Sequence, residues 1–234
     1  MPGEPKNPVR ARYWRVNGKQ GYDLQVLTPG ARVADYIAAV EGLEPARLFR
    51  PYNPDGDCLG CDHCCGGHLP LTILDVYGLQ QGLRDLTGKD LPLPKILEKY
   101  CQVHLVGRAV DITLRTDAEG YCLLLEPRRR RCRIYNHRPL ICRTYFCSPL
   151  TRPARLLRER IVNTGEDELV RYWLARQKTT PPGIRPSDWQ PTPFAGCHSY
   201  AEITLKALCP PELWRGLYNP DDYKALWYKG WLKK

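Results

Sequence analysis

Cys58, Cys61, Cys64 and Cys65 fall within "CLGCDHCCGGH", four thiols in eight consecutive positions, followed by two glycines and His68. Leucine or valine would bury more apolar surface there, so packing does not explain them. Thiolates are ligands for zinc and for iron–sulfur clusters, and short loops relieved by Gly60, Gly66 and Gly67 let several sulfurs turn toward one centre. Cys58, Cys61 and Cys64 have the spacing that opens a bacterial ferredoxin run, but the fourth cysteine of such a run would fall where this chain has His68. Cys64 and Cys65 are adjacent, and neighbouring side chains diverge in extended chain. Both reach one ion only through a tight turn. The expectation is therefore two different centres, or one thiol standing behind the ligands.

A second group comprises Cys122, Cys132, Cys142 and Cys147, the first three spaced ten apart. A turn at Glu126-Pro127-Arg128 would set Cys122 opposite Cys132 on a hairpin, close enough to share a metal. Pro139 suits the first turn of a helix, which places Cys142 near a helix N-terminus where a thiolate is stabilised. Arg131, Arg133, Arg138 and Arg143 push the same way. These eight cysteines are the expected metal ligands; Cys101 and Cys209 are read as core residues.

The elements that would hold these groups are legible in the flanking patterns. "YWRVNGKQGYDLQVL" (13–27) reads as a hairpin turning at Asn17-Gly18. "ARVADYIAAVEGL" (31–43) has helical spacing at Val33, Tyr36, Ile37 and Val40. Thr72 and Asp75 form a capping box ahead of the next helix. Val110, Ile112 and Leu114 alternate as in a half-buried strand, and "YCLLLE" and "CRIY" read as further strands. Beyond residue 150 the chain looks mostly helical ("EDELVRYWLARQ", "SYAEITLKALC", "DDYKALWYKGWLKK"), with a proline-rich connector, "KTTPPGIRPSDWQPTP". The fold class expected is α+β: a small antiparallel sheet and helices around a cysteine-ligated metal centre, with a mostly helical C-terminal part. The expected divisions are 1–54, a hairpin and helix; 55–150, the cysteine-cluster domain; and 151–234, a helical extension.

The chain has 234 residues, 43% of them hydrophobic, enough for a core without disulfide support. The N-terminal stretch has basic residues but no apolar run, so no secretory signal is read and a reducing, cytoplasmic setting is expected. There cysteine clusters mean metal or redox chemistry, and eleven cysteines cannot all pair within one chain. No apolar run reaches the length of a membrane span. The net charge of +10 suggests an anionic partner. A protein partner is expected ahead of nucleic acid, and the run Arg128–Arg131 is either a phosphate grip or a solvated loop. His63, His68 and the pair Cys197-His198 are weaker ligand candidates. The chain has no radical S-adenosylmethionine cysteine triplet, no G-x-G-x-x-G, no P-loop and no G-x-S-x-G.

"CLGCDHCC" followed by "CRIYNHRPLICRTYFC" resembles the CxxCxxCC cysteine-cluster (YkgJ-type) family over about residues 55–150. The resemblance rests on the CxxCxxCC core, on Ile134, Tyr135, Arg138 and Pro139, and on Cys142-Arg143. That family is described as a zinc- or iron-chelating domain, with flagellin lysine N-methylases among its relatives. The resemblance implies an iron–sulfur cluster (4Fe-4S) ahead of zinc, in redox or assembly work. The alternatives are an S-adenosylmethionine-dependent lysine N-methylase-like enzyme, and a zinc-stapled module binding nucleic acid or protein. The arginine run and the long flanks depart from the family's pattern.

Overall fold

The computed structural model describes residues 7–16, 18–53 and 61–218. Cys58, Asn17 and the expected final helix (221–234) lie outside them. In chain order the elements are strands β1 (Val9–Val16) and β2 (Lys19–Val26), helix α1 (Val33–Glu41), α2 (Ile73–Thr87) and α3 (Leu93–Tyr100). Strands β3 (Cys101–Val106), β4 (Ala109–Leu114), β5 (Leu125–Glu126) and β6 (Arg131–Cys132) follow. Helices α4 (Leu140–Thr144), α5 (Arg152–Leu174), α6 (Leu205–Leu208) and α7 (Pro211–Tyr218) complete the set. The three sheets are antiparallel pairs, β1–β2, β3–β4 and β5–β6, so the protein is α+β. No helix among the described residues is long and apolar enough to cross a membrane.

The chain divides into two compact units, one from Met1–Pro54, Phe146–Ile161 and Ser199–Lys234, the other from Asp55–Tyr145 and Val162–His198. In the first, the expected hairpin forms with Val9 opposite Val26 and Val16 opposite Lys19, and Gly18 takes the left-handed φ of 76° that a tight turn needs. Tyr22, Leu24 and Val26 on one face of β2 are buried, as are Tyr36, Ile37 and Val40 of α1, at the predicted spacing. The other face of β2 is also covered. Asp23 is 2% exposed and accepts a hydrogen bond from Thr151 Oγ1. Burial, opposed by that bond, lifts its pKa to about 6. The segment "SYAEITLKALC" is less helical than expected, only Leu205–Leu208 being α-helix. Residues before it are extended because Val33 N–H donates to Ile203 O (2.9 Å) and Leu205 N–H to Ala31 O (2.8 Å).

In the second unit the capping box forms as read: Thr72 Oγ1 accepts from Asp75 N–H (3.1 Å) and Asp75 Oδ2 from Thr72 N–H (2.9 Å). Helix α3 and strand β3, unread in the sequence, lead into β4, where Val110, Ile112 and Leu114 are buried as expected. Only Leu125 and Glu126 of "YCLLLE" and Cys132 of "CRIY" are strand; Tyr135–His137 instead forms a single 3₁₀ turn. That turn seats on α2 at Gly82, where an added Cβ would lie 2.9 Å from Ile134 Cβ, so glycine permits the approach.

Glu166 of α5 accepts a hydrogen bond from Ile112 N–H (2.9 Å) in β4. Burial, with Asp111 and Asp167 nearby, raises its pKa from 4.5 to about 8. Between those values the folded protein keeps a proton that the unfolded chain has released, so stability falls as pH rises from about 4.5 to about 8. Glu166→Gln retains an acceptor for Ile112 and removes the titration. Chemical denaturation at pH 5 and pH 8.5 should show wild type losing roughly 3 kcal/mol more than the variant. Parallel losses in the two proteins would refute the assignment. Asp23 drives a smaller fall of the same sign, complete nearer pH 6, in both.

Candidate metal centre

Cys64 and Cys65 sit on one 3₁₀ turn, His63–Gly66, closed by Cys65 N–H donating to Asp62 O (2.8 Å). At three residues per turn, successive side chains stand about 120° apart instead of on opposite faces as in an extended strand, and the two thiols act on each other electrostatically. The neighbouring Cys65 thiol brings Cys64 down to about 7, while Cys64 and burial push Cys65 up. The tight turn that both thiols would need to face one ion is present.

Cys122 N–H donates to Cys65 O (2.9 Å), which joins the two cysteine groups through backbone. The sulfur of Cys122 accepts from Leu124 N–H (3.4 Å), Leu125 N–H donates to the Cys122 carbonyl oxygen (2.9 Å), and the amides of Leu125 and Ile134 pull against the burial that raises Cys122 and Cys132. Amide donors of this kind favour the thiolate that a metal requires. Cys132 is paired with Leu125 and not with Cys122. The hairpin register is therefore not the expected one; the two-residue ladder is too short to reach position 122. Cys122 is instead brought up by its own turn, near enough that Cys132 raises its pKa.

Cys142 is the third residue of α4, which begins directly after Pro139 as read. Its sulfur feels Cys122, Cys64 and Cys132, and Cys65 in turn feels Cys142 and Cys122. Five sulfurs, those of Cys64, Cys65, Cys122, Cys132 and Cys142, therefore gather in one region. The expectation that arginines and the helix start would favour a Cys142 thiolate is overturned. Burial first, then the neighbouring thiols, hold Cys142 well above its usual value. Burial likewise lifts Cys122 to about 11, and raises Cys132 against the pull of Ile134 N–H and Arg138.

Cys61 lies beside the arginine turn, within electrostatic reach of Arg130. Cys147 belongs to the first unit and Cys58 to the undescribed segment. Cys101 is 2% exposed and lifted to about 12 by burial, with no thiol acting on it, in keeping with a core residue. Cys197 donates to Pro193 O (3.4 Å), and His198 packs against Tyr77, ring centroids 5.8 Å apart. His68 Nε2 lies 3.2 Å from Asp111 Oδ2.

Among the described residues no three His, Cys, Asp or Glu side chains stand in a metal-holding arrangement. The donor set nevertheless fits a thiophilic cation or cluster. Burial and the neighbouring sulfurs both oppose thiolate formation at Cys122 and Cys142, and a cation that replaced the protons would offset both, while the Leu124 amide already donates to the Cys122 sulfur.

Asp75 is a positioning residue that sequence reading found only as a cap. Besides Thr72 N–H, it accepts Leu140 N–H on Oδ1 (2.7 Å), at 3% exposure, and so ties the start of α4 to the start of α2. The signal was available: Pro139 leaves the first amides of α4 needing an acceptor. The motif residues Tyr135 and Arg138 have a packing role. The Arg138 guanidinium stacks 3.6 Å from the Tyr135 ring centroid and its Nε donates to Tyr135 O (2.9 Å), while Ile134 is buried.

A turn-bound cysteine pair joined to three further thiols defines a cysteine-cluster domain. The sequence profile of the CxxCxxCC family, "Putative zinc- or iron-chelating domain", matches residues 57–161, a span holding both cysteine groups. No curated protein and no solved structure matches the chain.

Proposed function

We propose that the gathered cysteines bind an iron–sulfur cluster, and that the protein works in redox chemistry or in cluster assembly. The observation that supports this reading is an all-sulfur donor set, five thiols within electrostatic reach of one another among the described residues, the kind of ligand an iron–sulfur cluster takes. A bound cluster would supply one-electron transfer, its potential set by burial and by hydrogen bonds to sulfur. The chain's own part is to gather the thiols, donate the Leu124 amide to the Cys122 sulfur, and hold α4 through Asp75. Anaerobic purification followed by iron, sulfide and zinc analysis tests it. The expected protein is brown, with iron and acid-labile sulfide in equal amounts. Zinc alone, with no charge-transfer absorption, would replace the cluster by a structural ion.

A further inference from the structure

The turn between β5 and β6 carries a feature that metal binding leaves unused. Six arginines stand against one glutamate between positions 126 and 138. Three of the six build the turn itself. Arg130, at φ 50°, donates from Nε to Asp62 Oδ2 (2.8 Å) and from Nη2 to Asp62 Oδ1, so a fork bond fixes the tip to the Cys61–Cys64 loop. Arg131 and Arg138 lie over the Tyr135 ring at 5.4 and 3.6 Å. The side chains of Arg128, Arg129 and Arg133 are exposed and, among the described residues, have no hydrogen bond, ion pair or ring contact. Two unneutralised guanidinium groups, Arg128 and Arg129, are thus presented on a braced turn, and a third, Arg133, directly follows β6. Tyr121, 40% exposed, lies beside the cysteine turn, its ring 3.5 Å from where a Cβ on Gly66 would stand.

We propose that this turn binds single-stranded nucleic acid, with Arg128, Arg129 and Arg133 on successive phosphates and the Tyr121 ring stacked under a base. Guanidinium forks match phosphate oxygens in pairs, and an exposed tyrosine face is used by a nucleobase but not by an acidic side chain. Bracing of the tip reduces the ordering that binding requires. The surface is independent of which metal the cysteines hold.

The test is fluorescence anisotropy of the purified full chain with a labelled, mixed-sequence 20-nucleotide RNA across a salt series. Arg128→Ala/Arg129→Ala/Arg133→Ala should weaken binding at least about tenfold at low salt and reduce the log–log salt slope by about 2. The corresponding triple lysine variant should keep the slope. Tyr121→Ala should weaken binding about fivefold or more without changing the slope. Arg10→Ala/Arg12→Ala/Arg15→Ala, which removes the same charge from β1, should change affinity less than about threefold if the contacts are local. The proposal is overturned if wild type does not bind, if the two triple alanine variants weaken alike, or if poly-glutamate of equal charge competes as well as unlabelled RNA.

Discussion

Cys142→Ala is expected to strip the protein of metal and to unfold much of the cysteine-cluster unit. Cys142 is the residue on which the other thiols converge, acted on by Cys122, Cys64 and Cys132. It is also carried on α4, whose start is bound to Asp75 of α2 (2.7 Å). A ligand missing at that junction leaves the remaining thiols without a closed shell, and metal-binding free energy in such sites is folding free energy. The expected loss is about 4 kcal/mol or more of stability, with metal content down to about a tenth of wild type. Cys101→Ala is the control. It deletes a buried sulfur and costs about 1–2 kcal/mol through the void left behind, but should keep full metal. Metal analysis after gel filtration and a thermal melt compare them; equal metal in both would show that Cys142 is no ligand.

Asp75→Ala should have the next largest effect. It removes the acceptor from two buried amides at once, Thr72 N–H and Leu140 N–H. Two charge-assisted bonds lost together are worth about 3–5 kcal/mol, and Asp75→Asn should lose about half of that because one carbonyl oxygen remains. Stability alone would not separate a positioning role from a structural one. Leu79→Ala, a fully buried position on the same helix, should be destabilised by a similar 2–5 kcal/mol, an order-of-magnitude range. In wild type and both variants, transfer of metal to a chelator is followed in the absence of denaturant. Asp75→Ala should release metal at least about tenfold faster than Leu79→Ala, since it frees the helix that carries Cys142. Equal release rates would leave Asp75 as a structural residue only.

The cysteine groups, the capping box at Thr72 and Asp75, the first hairpin, α1 and the start of α4 were legible because each is a local device. Their signals are turn residues, caps and apolar periods, which act within a few residues of one another. The adjacency of Cys64 and Cys65 was legible as well, but its meaning was not. An extended segment parts two neighbouring thiols and a 3₁₀ turn joins them, and which one forms depends on Cys122 N–H reaching back to Cys65 O. Cys122 and Cys132 meet without pairing in register, because the arginine turn between them is held from Asp62, sixty-eight residues from Arg130. The thiolate character expected for Cys142 from its helix start and its arginines gave way to burial, a quantity set by everything packed around the sulfur. Residue types and spacing by themselves determined that this protein gathers cysteines for a metal. Which thiols share one region, and which carboxylate holds them there, are long-range facts that only the tertiary structure decided, because hydrogen bonds between distant segments and exclusion of water have no signature in local sequence.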